Sequence, residues 1–418
     1  MKSNKKYLIP NITSAANVGD EAMLEVVMEL IRDAHPKAEI SVHGFEPETH
    51  RQLDVTANRS SLYYWAIFED ERALMRAYRL LLTAVASVAA WFSYKPLLQT
   101  IAWASRDLSE IINDYVSADA IVFVGGGYLR SKKGLSQSLN FILHVLPFAL
   151  ASTTVAKTVV APISVGPFAY TWQSRVTAWI FRRLDVVTVR ERFSHKLLTS
   201  AGMSGHVLAT DHALLMTPGK KTGRNGASKN KPSKNAKTIG FTIRNWLDSV
   251  AQQELEQSYA VALAEVSKAT GASIQPIIQV SAPRFGEDDG TATAKVVGLL
   301  KEAGIPVKPM VQIKNVAHGK DVYGDLSVLV GMRMHSNIFA GTQFVPFVPI
   351  SYEYKTEGIS EDFGLSEFCI RSEDLTAKNL SKNLAKVLKQ RHKLSTSIAK
   401  TLKIIQKRER ARWQKVFK

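Results

Sequence analysis

Short apolar runs that end in glycine or a charged cluster, each followed by a segment of helical periodicity, constrain this chain more than any other feature. Tyr7–Pro10, Glu39–Val42, Ala120–Val124, Thr158–Ile163 and Val186–Val189 read as strands, and Glu21–Ala34, Leu108–Val116, Ser136–Leu150 and Arg192–Ala201 read as helices. A strand apolar at nearly every position needs cover on both faces, and strands that alternate with helices pair in parallel. The pattern resumes at Val207–Ala209, Thr238–Ile243, Ile274–Ile278, Val328–Val330 and Phe347–Ile350. The expected class is α/β.

At 418 residues the chain exceeds one ordinary domain, and two domains of about 200 residues each are expected. The break falls in residues 217–237, where seven Lys or Arg stand among Gly, Ser, Asn and Pro with no acid. Such a segment cannot bury a core and reads as a flexible linker between domain 1–216 and domain 238–374. Residues 375–418 read as basic, amphipathic C-terminal helices, with Leu380, Leu384, Val387, Leu388, Ile398, Leu402 and Ile405 at helical spacing. The net charge of +17 is concentrated in that linker and in this tail. Nucleic acid or an anionic membrane would explain the clusters, and so would plain solvated surfaces. The linker offers no aromatic residue for stacking on bases and no nucleic-acid module is present, so nucleic acid is not an expected partner.

Only one cysteine, Cys369, is present, which rules out an internal disulfide framework and suits a reducing compartment. The apolar run Tyr7–Ile12 is too short for a secretory signal and reads as the first strand of a cytoplasmic protein. Leu80–Tyr94 carries no charge but falls short of the ~20 residues that span a bilayer. It reads as a buried helix or as an interfacial one, the latter because Trp91, Phe92 and Trp103 suit a membrane interface.

Several strand ends carry residues suited to anion chemistry. Asn17-Val-Gly19-Asp20-Glu21 stands between the first strand and a helix expected to begin near Glu21, and reads as a plain helix start capped by Asp20 or as one whose amides bind an anion. Gly125-Gly126-Gly127 and Gly166 each follow an apolar strand, where open α/β sheets bind ligands through backbone donors. Neither a dinucleotide fingerprint nor a P-loop is present. Arg190 follows Val186–Val189 and could grip a carboxylate or phosphate, or form a surface pair with Glu191. Asp211 could orient a neighbour or cap a turn. In Gly331-Met-Arg333-Met-His335-Ser336-Asn337, an extended path would put Arg333 and His335 on one side, with Ser336 or Asn337 capping the next helix. Tyr352 and Lys355 follow the next strand, Lys355 as a further cation or a solvated loop residue. The histidines lack metal-ligand spacing, and Glu287-Asp288-Asp289 reads as a surface loop rather than a Mg²⁺ site, so no metal is expected.

Taken in order, Asn17-Val-Gly-Asp-Glu, Gly125-Gly-Gly, Gly166-Pro-Phe, Arg190-Glu-Arg-Phe-Ser, Asp211, Gly331-Met-Arg-Met-His and Tyr352-Glu-Tyr-Lys resemble the polysaccharide pyruvyl transferase family over about residues 10–370. The family pattern carries Arg-Asp where this chain has Arg190-Glu191. The resemblance implies two facing Rossmann-like domains of the GT-B glycosyltransferase architecture, the N-terminal one on the acceptor side. It also implies transfer of pyruvyl from phosphoenolpyruvate, as donor substrate and without a further cofactor, onto a sugar or glycan acceptor, free or lipid-linked. On that reading Arg333 and Arg190 hold the donor and protonated His335 delivers a proton to its methylene carbon. A lipid-linked acceptor would give Leu80–Tyr94 and the basic tail a shared role at the inner face of the cell membrane. The alternatives are a nucleotide-sugar glycosyltransferase of the same architecture, with Asp20 or Asp211 as base, and a non-enzymatic basic protein that binds nucleic acid or membranes.

Overall fold

The computed structural model describes residues 4–12, 17–50, 53–68, 72–91, 100, 105–219, 237–282 and 287–418. Most of the basic segment 217–237, together with Phe92 and Trp103 of the apolar region, lies outside the described residues. The chain separates into two compact units, one made of Met1–Ala15, Met23–His212 and Arg410–Lys418, the other of Ala16–Ala22 and Ala213–Glu409.

The first unit is built on an all-parallel sheet of seven strands: β1 (Lys6–Ile12), β2 (Glu39–Gly44), β3 (Ala57–Ser60), β4 (Ala120–Phe123), β5 (Lys157–Ile163), β6 (Val186–Val189) and β7 (Val207–Leu208). Their order is β3-β2-β1-β4-β5-β6-β7. Its helices are α1 (Val18–Ala34), whose residues 18–22 belong to the second unit, α2 (Leu62–Ile67), α3 (Ala73–Trp91), α4 (Arg106–Ser117), α5 (Leu135–Ala151), α6 (Thr171–Phe181) and α7 (Arg192–Ser200). Phe123 of β4 stacks on Phe148 of α5 at 3.9 Å, and both are fully buried. Burial of one such ring contributes about 1.5–3 kcal/mol.

The second unit holds β8 (Thr238–Thr242), β9 (Ser273–Ile278), β10 (Ser281–Ala282), β11 (Glu287–Asp288), β12 (Val311–Gln312), β13 (Val328–Gly331), β14 (Phe347–Ser351) and β15 (Ile370–Arg371). Six of these form a parallel sheet in the order β12-β9-β8-β13-β14-β15, and β10 and β11 form a small antiparallel ribbon. The helices are α8 (Ser249–Thr270), α9 (Gly290–Glu302), α10 (Val316–Gly324), α11 (Met334–Thr342), α12 (Tyr354–Asp362), α13 (Ala377–Lys389) and α14 (Arg391–Phe417). β8, β13 and β14 are buried at every position, as their apolar sequence requires.

Both sheets therefore share one winding: the first strand lies in the middle, two follow on one side, and the chain then crosses to the other. The crossover leaves a crevice at the carboxyl ends of the two central strands, β1 and β4 in one unit and β8 and β13 in the other. This is the doubly wound fold read from the strand–helix alternation. The C-terminal extension is helical, as expected, and its final turns belong to the first unit. There Trp413 is buried against the His212 ring at 4.4 Å, and Arg410 pairs with Glu29 at 2.8 Å.

Candidate active site

In the second unit, four loops leave the carboxyl edge of the sheet and converge on one polar network. Arg333 stands two residues past β13, fully inside the protein. Its Nε donates to Asp289 Oδ1 at 3.0 Å, its Nη2 donates to the same oxygen at 2.7 Å, and its Nη1 donates to Glu287 Oε2 at 2.8 Å. Arg244, two residues past β8, donates through Nη2 to the other oxygen of Glu287 at 3.0 Å and through Nη1 to the Tyr352 hydroxyl at 3.1 Å. The Arg244 guanidinium also lies over the rings of Trp246 and Tyr352, 4.7 and 5.2 Å from their centres. One carboxylate, Glu287, thus bridges two arginines at the switch point of the sheet. Burial disfavours the Arg333 charge, but Asp289 outweighs it, and the guanidinium holds its proton more tightly than usual.

Asp289 ties this network to the start of α1. Its carboxylate accepts from the Val280 amide at 3.1 Å, and Val280 bridges to Asn17. Asn17 in turn donates from Nδ2 to Asp20 at 2.9 Å. The helix opens at Val18 rather than near Glu21, so Asp20 sits within its first turn, where its amide bonds back to Asn17 O at 2.9 Å. Glu21 is buried. Gly19 faces His335 so closely that a Cβ there would fall 2.1 Å from Nδ1. Only glycine leaves room for the imidazole.

The path through Arg333 and His335 is not extended. Arg333 is the N-cap of α11, and His335 lies in the first helical turn, among amides that attract anions. The expected caps have other tasks. Ser336 is buried, donating to Arg333 O at 2.6 Å and meeting Thr242 Oγ1 at 2.9 Å. Asn337 Nδ2 donates to Gly331 O at 3.0 Å, and a Cβ at Gly331 would strike its Oδ1 at 1.9 Å. Lys355 is not a solvated loop residue; it stands in the first turn of α12 and pairs with Glu353 at 3.2 Å. Asp289 corrects the reading of Glu287-Asp288-Asp289 as a surface loop, because it is fully buried against Arg333.

The other predicted residues gather in the first unit. The Arg190 side chain is 5% exposed, and its Nη1 meets Asp211 at 2.6 Å while its Nε donates to Ser164 Oγ at 2.7 Å. Glu191 is the more distant partner at 3.7 Å, so the pair is neither exposed nor formed chiefly with Glu191. Gly125 lies against the end of β5, where a Cβ would come 2.2 Å from the Pro162 carbonyl oxygen. Gly126 accepts from the Ser164 amide at 2.9 Å, Gly127 is half-buried, and Gly166 adopts a φ of 82° with its amide on Leu129 O at 2.7 Å. These glycines let adjacent strand ends approach each other.

The sequence reading did not include Arg244, Trp246 or the partnership of Arg333 with Glu287 and Asp289. The available signal was position, since Arg244 follows its strand by the same interval as Arg333.

Two doubly wound sheets, each with a polar network at its strand ends, make a GT-B-type scaffold. Solved structures bear this out at the level of fold: α,α-trehalose 6-phosphate synthase from Burkholderia multivorans superposes with a TM-score of 0.55 at 11% identity, covering 100% of this chain and 96% of that one. UDP-GlcNAc 2-epimerase from Neisseria meningitidis, determined with UDP-GlcNAc bound, gives 0.54 at 11% identity over 94% of each chain. The polysaccharide pyruvyl transferase family matches residues 17–354, and the chain belongs to that family. The amylovoran biosynthesis protein AmsJ of Erwinia amylovora is 23% identical over 300 residues, 68% of this chain and 69% of that protein. The protein is accordingly a transferase of polysaccharide biosynthesis.

Proposed function

We propose that this transferase moves the pyruvyl group of phosphoenolpyruvate onto a sugar of a polysaccharide or of its lipid-linked precursor, forming a cyclic ketal and releasing phosphate. The observation that carries the reading is the grouping of His335, Arg333 and Arg244 at the switch point of the second sheet. Phosphoenolpyruvate presents a carboxylate and a phosphate, and two guanidinia beside a helix N-terminus match both. Arg333 stays clamped by Asp289, while Glu287, the more exposed of the two carboxylates, yields its place between the arginines to the donor.

His335, as imidazolium, then transfers its proton to the methylene carbon, turning it into a methyl group and leaving C2 electrophilic. One sugar hydroxyl attacks C2 and returns its proton to the imidazole. Phosphate departs with the C2–O bonding pair, a second hydroxyl attacks C2, and its proton leaves with phosphate. Helix amides and guanidinia stabilise the charge that shifts onto the departing phosphate. Within the first unit, Arg190 holds the Asp211 carboxylate, a group suited to accept a hydrogen bond from a sugar hydroxyl.

Calorimetry with phosphoenolpyruvate on the parent and on Arg244→Ala tests the donor assignment. Saturable binding that weakens in the variant agrees with it. Silence toward phosphoenolpyruvate with a saturable response to a nucleotide sugar contradicts it.

A further inference from the structure

Helix α3 packs inward on α2 and α5 through Thr83, Ala86 and Ala89. Its other side bears Leu74, Leu81 and Val88 at 88, 62 and 55% exposure, with Tyr78 exposed between them. These positions repeat at helical intervals and form one row. The neighbouring α5 carries a second row in Leu135, 89% exposed, Leu139 and Ile142, and α6, packed on α5, opens with exposed Tyr170 and Trp172. Single exposed apolar residues are ordinary, but rows on adjoining helices are not.

The charges on the helices that carry these rows have one sign, with the acidic Glu69-Asp70-Glu71 standing just ahead of α3. From Arg72 to Arg106 there is no Asp or Glu, and none occurs from Ala120 to Leu184. Within those stretches Arg76, Lys132, Lys133 and Arg175 are exposed. A second copy of the chain would bring like charges together here, whereas an anionic lipid surface complements them. No described helix is long and apolar enough to cross a membrane, so contact of this kind would be peripheral.

We propose that the face formed by α3, α5 and the start of α6 docks on an anionic membrane surface, with Leu74, Leu81, Val88 and Leu135 entering the interface and the flanking lysines and arginines meeting lipid headgroups. The proposal rests on the first unit alone and does not depend on the donor.

The test is co-flotation of the full chain with phosphatidylcholine vesicles, with and without phosphatidylglycerol, for the parent, Leu81→Glu/Val88→Glu and Lys132→Glu/Lys133→Glu. Both pairs of changes are at exposed positions, and an unchanged melting temperature confirms the fold. Binding to the phosphatidylglycerol vesicles that falls at least about tenfold in both variants agrees with the proposal. No binding by the parent, equal binding by all three proteins through charge elsewhere, or a parent dimer that Leu81→Glu/Val88→Glu dissociates overturns it.

Discussion

The imidazole of His335 rests on the Cα of Gly19, leaving so little room that a single methyl group would come within 2.1 Å of Nδ1. The start of α1 and the start of α11 thus hold the proposed proton donor between them, and the glycine of the Asn17-Val-Gly-Asp-Glu segment is explained by packing. Gly19→Ala should displace the ring by about 1 Å, lower pyruvyl transfer at least a hundredfold and cost about 1–3 kcal/mol of stability. Steady-state kinetics and urea denaturation of the variant check both figures.

Arg333 and Asp289 form a buried ion pair, and removal of one partner strands the other charge away from water. Asp289→Asn should destabilise the protein by about 3–5 kcal/mol. Replacing both residues with apolar ones, as in Arg333→Met/Asp289→Leu, should recover much of that loss in the same denaturation experiment while leaving the protein inactive.

Glu287 behaves differently because it is partly exposed and serves two guanidinia. In Glu287→Gln the fold should persist, and the arginines should bind an anion more readily. The expected result is a KM for phosphoenolpyruvate lowered several-fold, by about 1 kcal/mol of improved binding. A raised KM would show that Glu287 positions the arginines and does not compete with the donor.

Acid should weaken the fold through two histidines. Burial pushes the imidazoles of His144 and His212 down to about 4, against a weaker opposing pull from Asp211 on His212. The unfolded chain takes up these protons near 6.5, so between the two values the unfolded state binds more protons. Their contribution is complete above about pH 6.5 and is lost as pH falls toward 4, up to roughly 3 kcal/mol for each residue. His212→Phe should reduce the slope of stability against pH in that window by about 1.4 kcal/mol per unit, measured by urea denaturation.

Much of this architecture was written in the sequence because buried parallel strands leave continuous apolar runs such as Ile121–Val124 and Val328–Val330. The edge strands β3, β12 and β15 were not, since four residues or fewer at a sheet margin need no apolar run. Arg333 and His335 were legible as a motif, but their surroundings were not. Asp289 sits in an acidic run that resembles solvated loop, and only the fold brings it 44 residues along the chain to Arg333. Arg244 lies in a segment without any motif, and it becomes visible once β8 and β13 are known to be neighbours. The start of α11 moved for a physical reason too: Ser336, expected as a cap, finds Thr242 and the Arg333 carbonyl inside the protein.

The central claim is tested most directly by incubating the parent and His335→Gln with phosphoenolpyruvate and acceptor glycan in heavy water, and following the product by mass spectrometry and NMR. The account predicts a ketal from the parent whose methyl group carries one deuterium, with phosphate released in equal amount, and no ketal from His335→Gln although it still binds the donor. Ketal formation at the parent rate by His335→Gln, or glycosyl transfer from a nucleotide sugar with phosphoenolpyruvate inert, would contradict it.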